Sequence, residues 1–431
     1  MRRAMTLLVA FAAAGWAGSW IHEAYGATKT LFRISIDRQA RIKWGLHYPA
    51  TYVFEAPQIA DAAAVRRRDG PVDPKRLDSV AGPWVTLPQK TADDSFNGVE
   101  CVRWDRQAKR VYVCVGFGLK AAEPIELELV GVAEAKFVGV ARYYDGRKAA
   151  YTLSIDNWGC NAWARPGAPW QGATDDASDC YQAAVRVCRG YHLPVSVAVN
   201  SRSAGGDAVW RRMQEELDRP DAGWEPAVHG WTHPKDAAAY QVNGYREEIL
   251  GCREDVLKRL RGIPYGQYVF EHILTHGYQD EKICATDAGE FLFVRGFNWH
   301  DNPTSVDYAA LDAKYGFYGI GGLSTKGYDA ILERREPKGR YWARDVAELN
   351  EAFDRVHRAG GIFYGLWHPD RFRNSVLYDP RPGVDGVQGS TLVQHLAHLA
   401  NRKDVWYVAN GWLYSYRYVA ENVKVVGEST Q

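Results

Sequence analysis

The chain has 431 residues and a balanced charge, with 53 lysines and arginines against 52 aspartates and glutamates and a formal net charge of +1. A near-neutral chain has no single-sign field to attract a nucleic acid or an anionic membrane surface, so both classes of partner are disfavoured. The length allows two or three domains, and the 46% content of hydrophobic residues is that of a globular protein.

The N-terminus has the features of an export signal. Arg2 and Arg3 precede the apolar run MTLLVAFAAAGWAG, and a small-residue site follows at residues 24–26. This order of basic, apolar and small residues is typical of a secretory signal peptide. We predict a signal peptide over residues 1–26, no membrane span after its cleavage, and a secreted or periplasmic mature protein. An uncleaved N-terminal anchor is the alternative.

The chain has seven cysteines, and none of them forms a CxxC pair, which disfavours a four-thiolate zinc site. In an oxidising compartment some of them are expected to pair. Cys101 and Cys114 flank the hairpin-like stretch VRWDRQAKRVYV and are candidates to lie across two strands. The sequence does not determine the connectivity.

Residues 28–145 are predicted to form a β-sandwich accessory domain. Short runs with alternating apolar residues, bounded by turn-forming residues, are typical of half-buried antiparallel strands. The runs are TLFRISI, ARIKWGL, ATYVFEA, GVECVRW, RVYVCVGF and IELELVGV. No catalytic constellation stands out here, so this domain either packs against the rest of the chain or binds polysaccharide.

Residues 146–425 show a different pattern, in which apolar strand-like runs alternate with helical ones. The predicted strands are AAYTLSI, LPVSVAVN, EPAVHG, GIFYGLWH and VWYVANG. Alternation of this kind predicts a parallel sheet or a β/α barrel. In such folds the chemistry lies at the carboxyl ends of the strands.

Polar residues follow three of these strands directly. Asp156 and Asn157 end the first, His229 ends the third with His233 four residues later, and His368 ends GIFYGLW. The spacing of the two histidines also occurs in the HExxH motif of zinc proteases, but that motif needs a glutamate after its first histidine. Gly230 stands there, which disfavours a zinc protease.

Three segments resemble, in order along the chain, the motifs of the polysaccharide deacetylase family, the NodB-homology domain of carbohydrate esterases. AVHGWTHP (227–234) resembles the second motif, LSIDNWG (153–159) the first, and GLWHPD (365–370) the late motif. The similarity covers about residues 148–420. It implies an α/β fold, a distorted (β/α) barrel, preceded here by the N-terminal β-sandwich.

The resemblance also implies the roles of five residues. Asp156 takes the position of the general base and His368 that of the general acid, while the metal ligands would be Asn157, His229 and His233. The cofactor would be a divalent metal, Zn²⁺ with Co²⁺ or Ni²⁺ as alternatives. The chain departs from the family pattern in having Asn157 at an aspartate position, Gly230 at a Ser/Thr position, and no arginine in QYVFEHILTHGYQDE (267–281).

Four further residues are candidates for contact with the substrate: Trp158, Trp231, Arg295 and Trp367. Arg295 would also stand in for the missing arginine that orients the base. Trp158 opens a long loop, 158–176, which is rich in Trp and Gly and would line a sugar cleft; a surface loop attached through Cys160 is the alternative.

The function that the resemblance implies is removal of acetyl groups from an N-acetylated, chitin-like or peptidoglycan-like polysaccharide. Two alternatives stay open. One is a non-catalytic relative that binds carbohydrate through the same cleft. The other keeps the metal but hydrolyses an O-acetyl ester or another amide, with His272 and His276 as the residues to test. The sequence does not indicate an oligomeric state.

Overall fold

The computed structural model describes residues 28–46, 48–70, 81–90, 100–117, 124–158, 187–202, 204, 206–219, 224–233, 237–261, 271–273, 282, 285–286, 290–295, 318–320, 343–367 and 391–430. The predicted signal peptide over residues 1–26, His276 and His368 lie outside these residues. Within them, no helix is both long enough and apolar enough to cross a membrane.

The N-terminal part of the described chain consists of antiparallel strands. They are β1 (Lys29–Ser35), β2 (Ala50–Glu55), β3 (Gln58–Asp69), β4 (Val85–Thr86), β5 (Cys101–Asp105), β6 (Arg110–Val115), β7 (Ile125–Ala133) and β8 (Lys136–Val140). One sheet has the order β5-β6-β2-β8, and another contains β1-β7-β3-β4. Phe32 of β1 and Phe54 of β2 contact each other with ring centroids 4.6 Å apart, so side chains of the two sheets share a core.

One predicted strand is wrong. ARIKWGL was expected to be extended, but Arg38–Trp44 forms helix α1. The side chain of Asp37 accepts a hydrogen bond from the Ala40 N–H at 2.8 Å, and Gly45 ends the helix with a φ of 59°. An aspartate N-cap and a left-handed glycine are strong local helix signals, and they outweigh the short run of alternating polarity.

The second part of the chain contains a parallel sheet. Its strands are β9 (Ala149–Trp158), β10 (Val195–Val199), β11 (Trp224–Val228), β12 (Glu271–Ile273), β13 (Phe293–Arg295), β14 (Tyr318–Ile320), β15 (Ile362–Trp367) and β16 (Val405–Tyr407). The order is β14-β13-β12-β11-β10-β9-β15, with β16 also paired to β9. A mixed α/β chain is therefore confirmed. In the residues described, β14 and β15 do not pair with each other, so closure into a barrel is not seen there.

Helices connect and cover these strands. They are α2 (Asp207–Leu217), α3 (Ala237–Asn243), α4 (Cys252–Arg259), α5 (Ala343–Ala359), α6 (Thr391–Leu399) and α7 (Asn410–Asn422). A π-helical turn, Glu247–Gly251, leads directly into α4. Gly244, with a φ of 88°, separates this turn from α3, since a left-handed residue cannot continue a helix.

The final strand returns to the N-terminal sheet. Strand β17 (Lys424–Thr430) pairs antiparallel with β1 over the full length of both. The predicted end of the second domain, residue 425, falls inside this strand. Pairing between the two ends of the chain is a long-range contact, and no local pattern in the sequence signals it.

A buried carboxyl group connects the N-terminal part to the parallel sheet. Glu225, near the start of β11, accepts hydrogen bonds from the Ser196 hydroxyl at 3.0 Å, from the Tyr48 hydroxyl at 3.2 Å and from the Gly411 N–H. Tyr48 also stacks on Trp412 of α7, with ring centroids 4.5 Å apart. Burial raises the pKa of Glu225 to about 7.

The pKa of Glu225 makes the stability of the fold depend on pH. Because the folded-state pKa is raised, the native chain binds more protons than the unfolded chain between about pH 4.5 and 7, and stability falls as the pH rises through that window. E225Q imitates the protonated acid. We expect it to match the natural chain near pH 4.5 and to exceed it by roughly 3 kcal/mol in unfolding free energy at pH 8.

Urea unfolding at a series of pH values measures this difference. The matched control is Glu215→Gln, which changes an exposed glutamate of α2 and should leave the pH dependence as it is. Curves for E225Q and the natural chain that stay parallel from pH 4.5 to 8 would show that folding does not raise the pKa of Glu225.

Candidate functional site

The candidate site lies at the carboxyl ends of three neighbouring strands, β9, β10 and β11. Val199, the last residue of β10, pairs with Trp158 on one side and with Val228 on the other. The residues that follow β10 and β11, Asn200 and His229, therefore leave the sheet at the same edge as the end of β9. Parallel pairing brings together residues that are far apart in the sequence.

Strand β9 is irregular at the two residues predicted to be base and ligand. Ile155 pairs with Val197 and Trp158 pairs with Val199, so Asp156 and Asn157 together stand opposite a single residue of β10. This is a β-bulge, which changes the direction of side chains and is frequent beside active sites. The backbone of Asn157 belongs to β9, and its side chain is outside the described part.

The carboxyl group of Asp156 is fully buried and has a hydroxyl partner on its own strand. The Ser154 hydroxyl donates to Asp156 Oδ1 at 3.1 Å. Ser154 in turn shares a hydrogen bond with the hydroxyl of Tyr364 on the adjacent strand β15. The chain Tyr364–Ser154–Asp156 holds the carboxylate in one orientation.

The two histidines of the motif lie side by side just beyond β11. His229 and His233 are 1% and 8% exposed, and their ring centroids are 4.9 Å apart with the rings inclined at 74°. The His229 N–H donates to the Val199 carbonyl at 2.9 Å, which continues the pairing of β10 and β11 by one residue. The structure thus brings both predicted ligands together.

The backbone of the loop between these histidines explains one departure from the family motif. Gly230 has a φ of 91°, a conformation that glycine adopts readily and that Ser or Thr does not. His233 has a φ of 57°, which is uncommon for a residue with a Cβ. Left-handed residues other than glycine are found preferentially at functional sites, where the surrounding structure holds them in place.

Two buried polar side chains fasten this loop, and the sequence analysis identified neither. Asn200 Nδ2 donates to the carbonyls of His229 at 2.7 Å and Gly230 at 3.3 Å. Glu248, in the π-helical turn, accepts from the Thr232 N–H at 3.0 Å and from the Thr232 hydroxyl at 2.7 Å. The sequence did contain a signal for Asn200. It is the polar residue at the end of an apolar strand-like run, as Asp156 and His229 are.

Trp231, a predicted substrate contact, lies in a packed environment. A Cβ on Gly251 would come within 2.3 Å of its ring, so that helix position has to be a glycine. The guanidinium carbon of Arg202 lies 3.6 Å from the ring centroid. These contacts assign Trp231 a role in holding the loop 229–233, called the histidine loop below. Its contact with a substrate stays a prediction.

For most of the remaining predicted residues the structure describes the backbone and not the side chain. Trp367 ends β15 and pairs with Ile155, next to Asp156. Arg295 ends β13, and three strands separate β13 from β9. His272 of β12 pairs with Val228, next to His229. Their side chains, like that of Trp158, are outside the described part of the chain, and His368 lies there entirely.

The separation of the two imidazoles is one that a shared metal ion would give, and it is also that of an ordinary edge-to-face ring pair. Two rings bound through nitrogen to one tetrahedral ion, at about 2.0–2.1 Å, have their centres about 5 Å apart. The centroids of His229 and His233 are separated by 4.9 Å. The described residues contain no cluster of three His, Cys, Asp or Glu side chains suited to a metal.

No protein-family model matches the chain, and no curated protein does either. Among solved structures, a Mycobacterium smegmatis protein described as a polysaccharide deacetylase is similar over 65% of this chain and 93% of its own, with 14% identity and a TM-score of 0.40. A 4-alpha-glucanotransferase from Thermococcus litoralis is similar over 62% of this chain and 40% of its own, with 11% identity and a TM-score of 0.35.

Removing the Asn200 amide should loosen the histidine loop. Asn200→Ala leaves the carbonyls of His229 and Gly230 without their buried donor, and we expect a loss of roughly 2–3 kcal/mol in unfolding free energy. Hydrogen exchange of residues 227–234 should become faster at the same time. Urea unfolding and mass-spectrometric exchange measure the two effects.

The matched control is Asn422→Ala. Asn422 is exposed, and its amide also donates to a backbone carbonyl, that of Tyr418 at 2.9 Å, far from the histidine loop. This substitution should cost less than about 1 kcal/mol and leave exchange in the loop unchanged. Equal effects of the two substitutions would contradict the role given to Asn200.

Proposed function

We propose that this chain is a metal-dependent hydrolase that removes acetyl groups from an N-acetylated polysaccharide. The observation that carries the proposal is the pair of buried imidazoles, His229 and His233, at the strand edge where β9 bulges at Asp156. The three motif resemblances, in order along the chain, support the same reaction. The proposal includes the finer fold, a deacetylase-type β/α barrel over 146–425 preceded by a β-sandwich over 28–145.

His229, His233 and Asn157 would hold the divalent metal, which we propose to be Zn²⁺, with Co²⁺ or Ni²⁺ as alternatives. When bound, such an ion supplies Lewis-acid activation of water and of the acetyl carbonyl. Asn157 can offer only its neutral carbonyl oxygen. A site of two imidazoles and one amide carries no negative charge, so we expect weaker metal binding than with an aspartate at position 157.

The protons would be moved by two residues. Asp156 would accept a proton from the attacking water, in the orientation set by the Ser154 hydroxyl. His368 would donate a proton to the leaving amine. Trp158, Trp231, Trp367 and Arg295 would contact the sugar. Export before action on a cell-wall or environmental polymer agrees with the predicted signal peptide over residues 1–26.

Metal binding provides the first test. Elemental analysis of the purified chain should find about one Zn²⁺, Co²⁺ or Ni²⁺ ion per molecule, and His229→Ala should abolish it. Asn157→Asp adds a charged ligand and should tighten Zn²⁺ binding by about tenfold or more, measured by competition with a chelator. Tighter Zn²⁺ binding in Asn157→Asp would show that residue 157 is a ligand, which a histidine pair that binds metal adventitiously would not show.

His192→Asn serves as the matched control for metal content. His192 is exposed and has a φ of 56°, a conformation that asparagine tolerates, so the substitution removes an imidazole without strain. It should leave the metal content unchanged. Absence of metal from the natural chain after incubation with each of the three ions would overturn the metal site.

Acetate release tests the assignment of the base. Asp156→Asn should keep the metal and lower acetate release from N-acetylglucosamine oligomers by about 10²–10⁴-fold, since general base catalysis contributes that much. Ser154→Ala should lower the rate less, because it removes only an orienting hydrogen bond. Undiminished turnover in D156N would remove Asp156 from the mechanism.

A second candidate function is carbohydrate binding without hydrolysis. The neutral Asn157 and the lack of an arginine in residues 267–281 favour it, because both departures weaken the catalytic set. Isothermal titration with the same oligomers would then show binding while no acetate is released. Release from an O-acetylated sugar, with loss of activity on His272→Ala, would instead indicate an esterase.

A further inference from the structure

Two buried cysteines face each other across the hairpin of β5 and β6. The register of this antiparallel pair places Cys101 directly opposite Cys114. The two residues are 2% and 1% exposed, and both are thiols in the structure. This juxtaposition is independent of the strand edge at Asp156 and His229.

The geometry of the pair suits a disulfide. Directly opposed residues of antiparallel strands have Cα atoms about 4.5–5.5 Å apart, and disulfides span about 4.4–6.8 Å. The two thiols also influence each other's pKa. By contrast Cys252, another buried cysteine, donates its S–H to the Val199 carbonyl at 3.3 Å.

The surroundings make the two sulfur atoms unequal. The neighbouring Cys114 thiol is the largest influence on Cys101 and lowers its pKa below the ordinary value. Burial raises the pKa of Cys114. The Tyr144 hydroxyl lies 3.6 Å from Cys101 Sγ, and the Thr51 hydroxyl lies 3.3 Å from Cys114 Sγ. Cys101 is therefore the better nucleophile of the pair.

We propose that Cys101 and Cys114 are a disulfide-forming pair, oxidised by thiol–disulfide exchange with a small-molecule or protein disulfide as the chain folds. Cys101 thiolate attacks one sulfur of the oxidant, forms a mixed disulfide and releases the other sulfur as a thiolate. Cys114 then loses its proton and attacks Cys101 Sγ, which expels the second thiolate. The pair loses two protons and two electrons, and the oxidant becomes two thiols.

The bond would fix a hairpin that supports the contact between the two parts of the chain. Tyr144, the neighbour of Cys101, stacks on Trp406 of β16 with centroids 6.2 Å apart and meets the edge of Trp412 at 5.8 Å. Because both sulfur atoms are covered in the folded chain, the exchange should occur before the hairpin is buried and be slow afterwards.

Peptide mapping tests the proposal on the full chain. Trypsin cleaves after Arg103 and Arg110, so Cys101 and Cys114 fall in different peptides, 91–103 and 111–120. After refolding in oxidised glutathione and blocking of free thiols, mass spectrometry should find these two peptides joined in most molecules, and dithiothreitol should separate them. Both peptides carrying the blocking group, or Cys101 joined to Cys160, Cys180 or Cys284, overturns the proposal.

Thermal unfolding gives an independent readout. The chain refolded in dithiothreitol should have a Tm about 5 °C below that of the chain refolded in oxidised glutathione, because the bond closes a loop of some 14 residues. The doubly substituted C101S/C114S chain should not respond to the reductant. Cys252→Ser is the matched control and should keep the full response. A response that survives in C101S/C114S assigns the effect to other cysteines.

Discussion

Backbone hydrogen bonds between β10 and its two neighbours, β9 and β11, hold the candidate site together. They align the last residues of three strands, so that Asn200 and His229 leave the sheet at the edge where β9 bulges at Asp156. Strand β10 is buried along its whole length and paired on both sides. Asn200 occupies the central position and ties the loop of β11 to the end of β10.

Two buried side chains form hydrogen bonds with polar groups of that loop. Asn200 donates to two carbonyls, and Glu248 accepts from both the N–H and the hydroxyl of Thr232. Leaving a buried amide or carboxylate without a partner would lower the stability by several kcal/mol. Each of these two side chains therefore stabilises the loop only while its hydrogen-bond partners are in place. This arrangement maintains the left-handed conformation of His233, which an isolated chain would rarely adopt.

The N-terminal sheets are connected to the parallel sheet by specific contacts at the opposite end of β11. Tyr48 reaches Glu225 there, and Tyr143 donates to the Gly360 carbonyl at 2.9 Å. Strand β17 also connects the two parts, because it follows α7 in the chain and pairs with β1. The N-terminal part thus contacts the parallel sheet through Glu225 and Gly360.

The sequence by itself determined the class of the chain and the locations of several candidates. Period-two runs and β/α alternation predicted most strands. Residues at the ends of predicted strands pointed to Asp156 and His229, and the four-residue spacing pointed to His233. Helix α1 was missed because capping by Asp37 and Gly45 decided its conformation. Four features came from the tertiary structure. They are the order of the strands, the bulge at Asp156, the hydrogen bonds of Asn200 and Glu248 to the histidine loop, and the pairing of β17 with β1. These depend on pairing between distant segments, whose free energy no local pattern records.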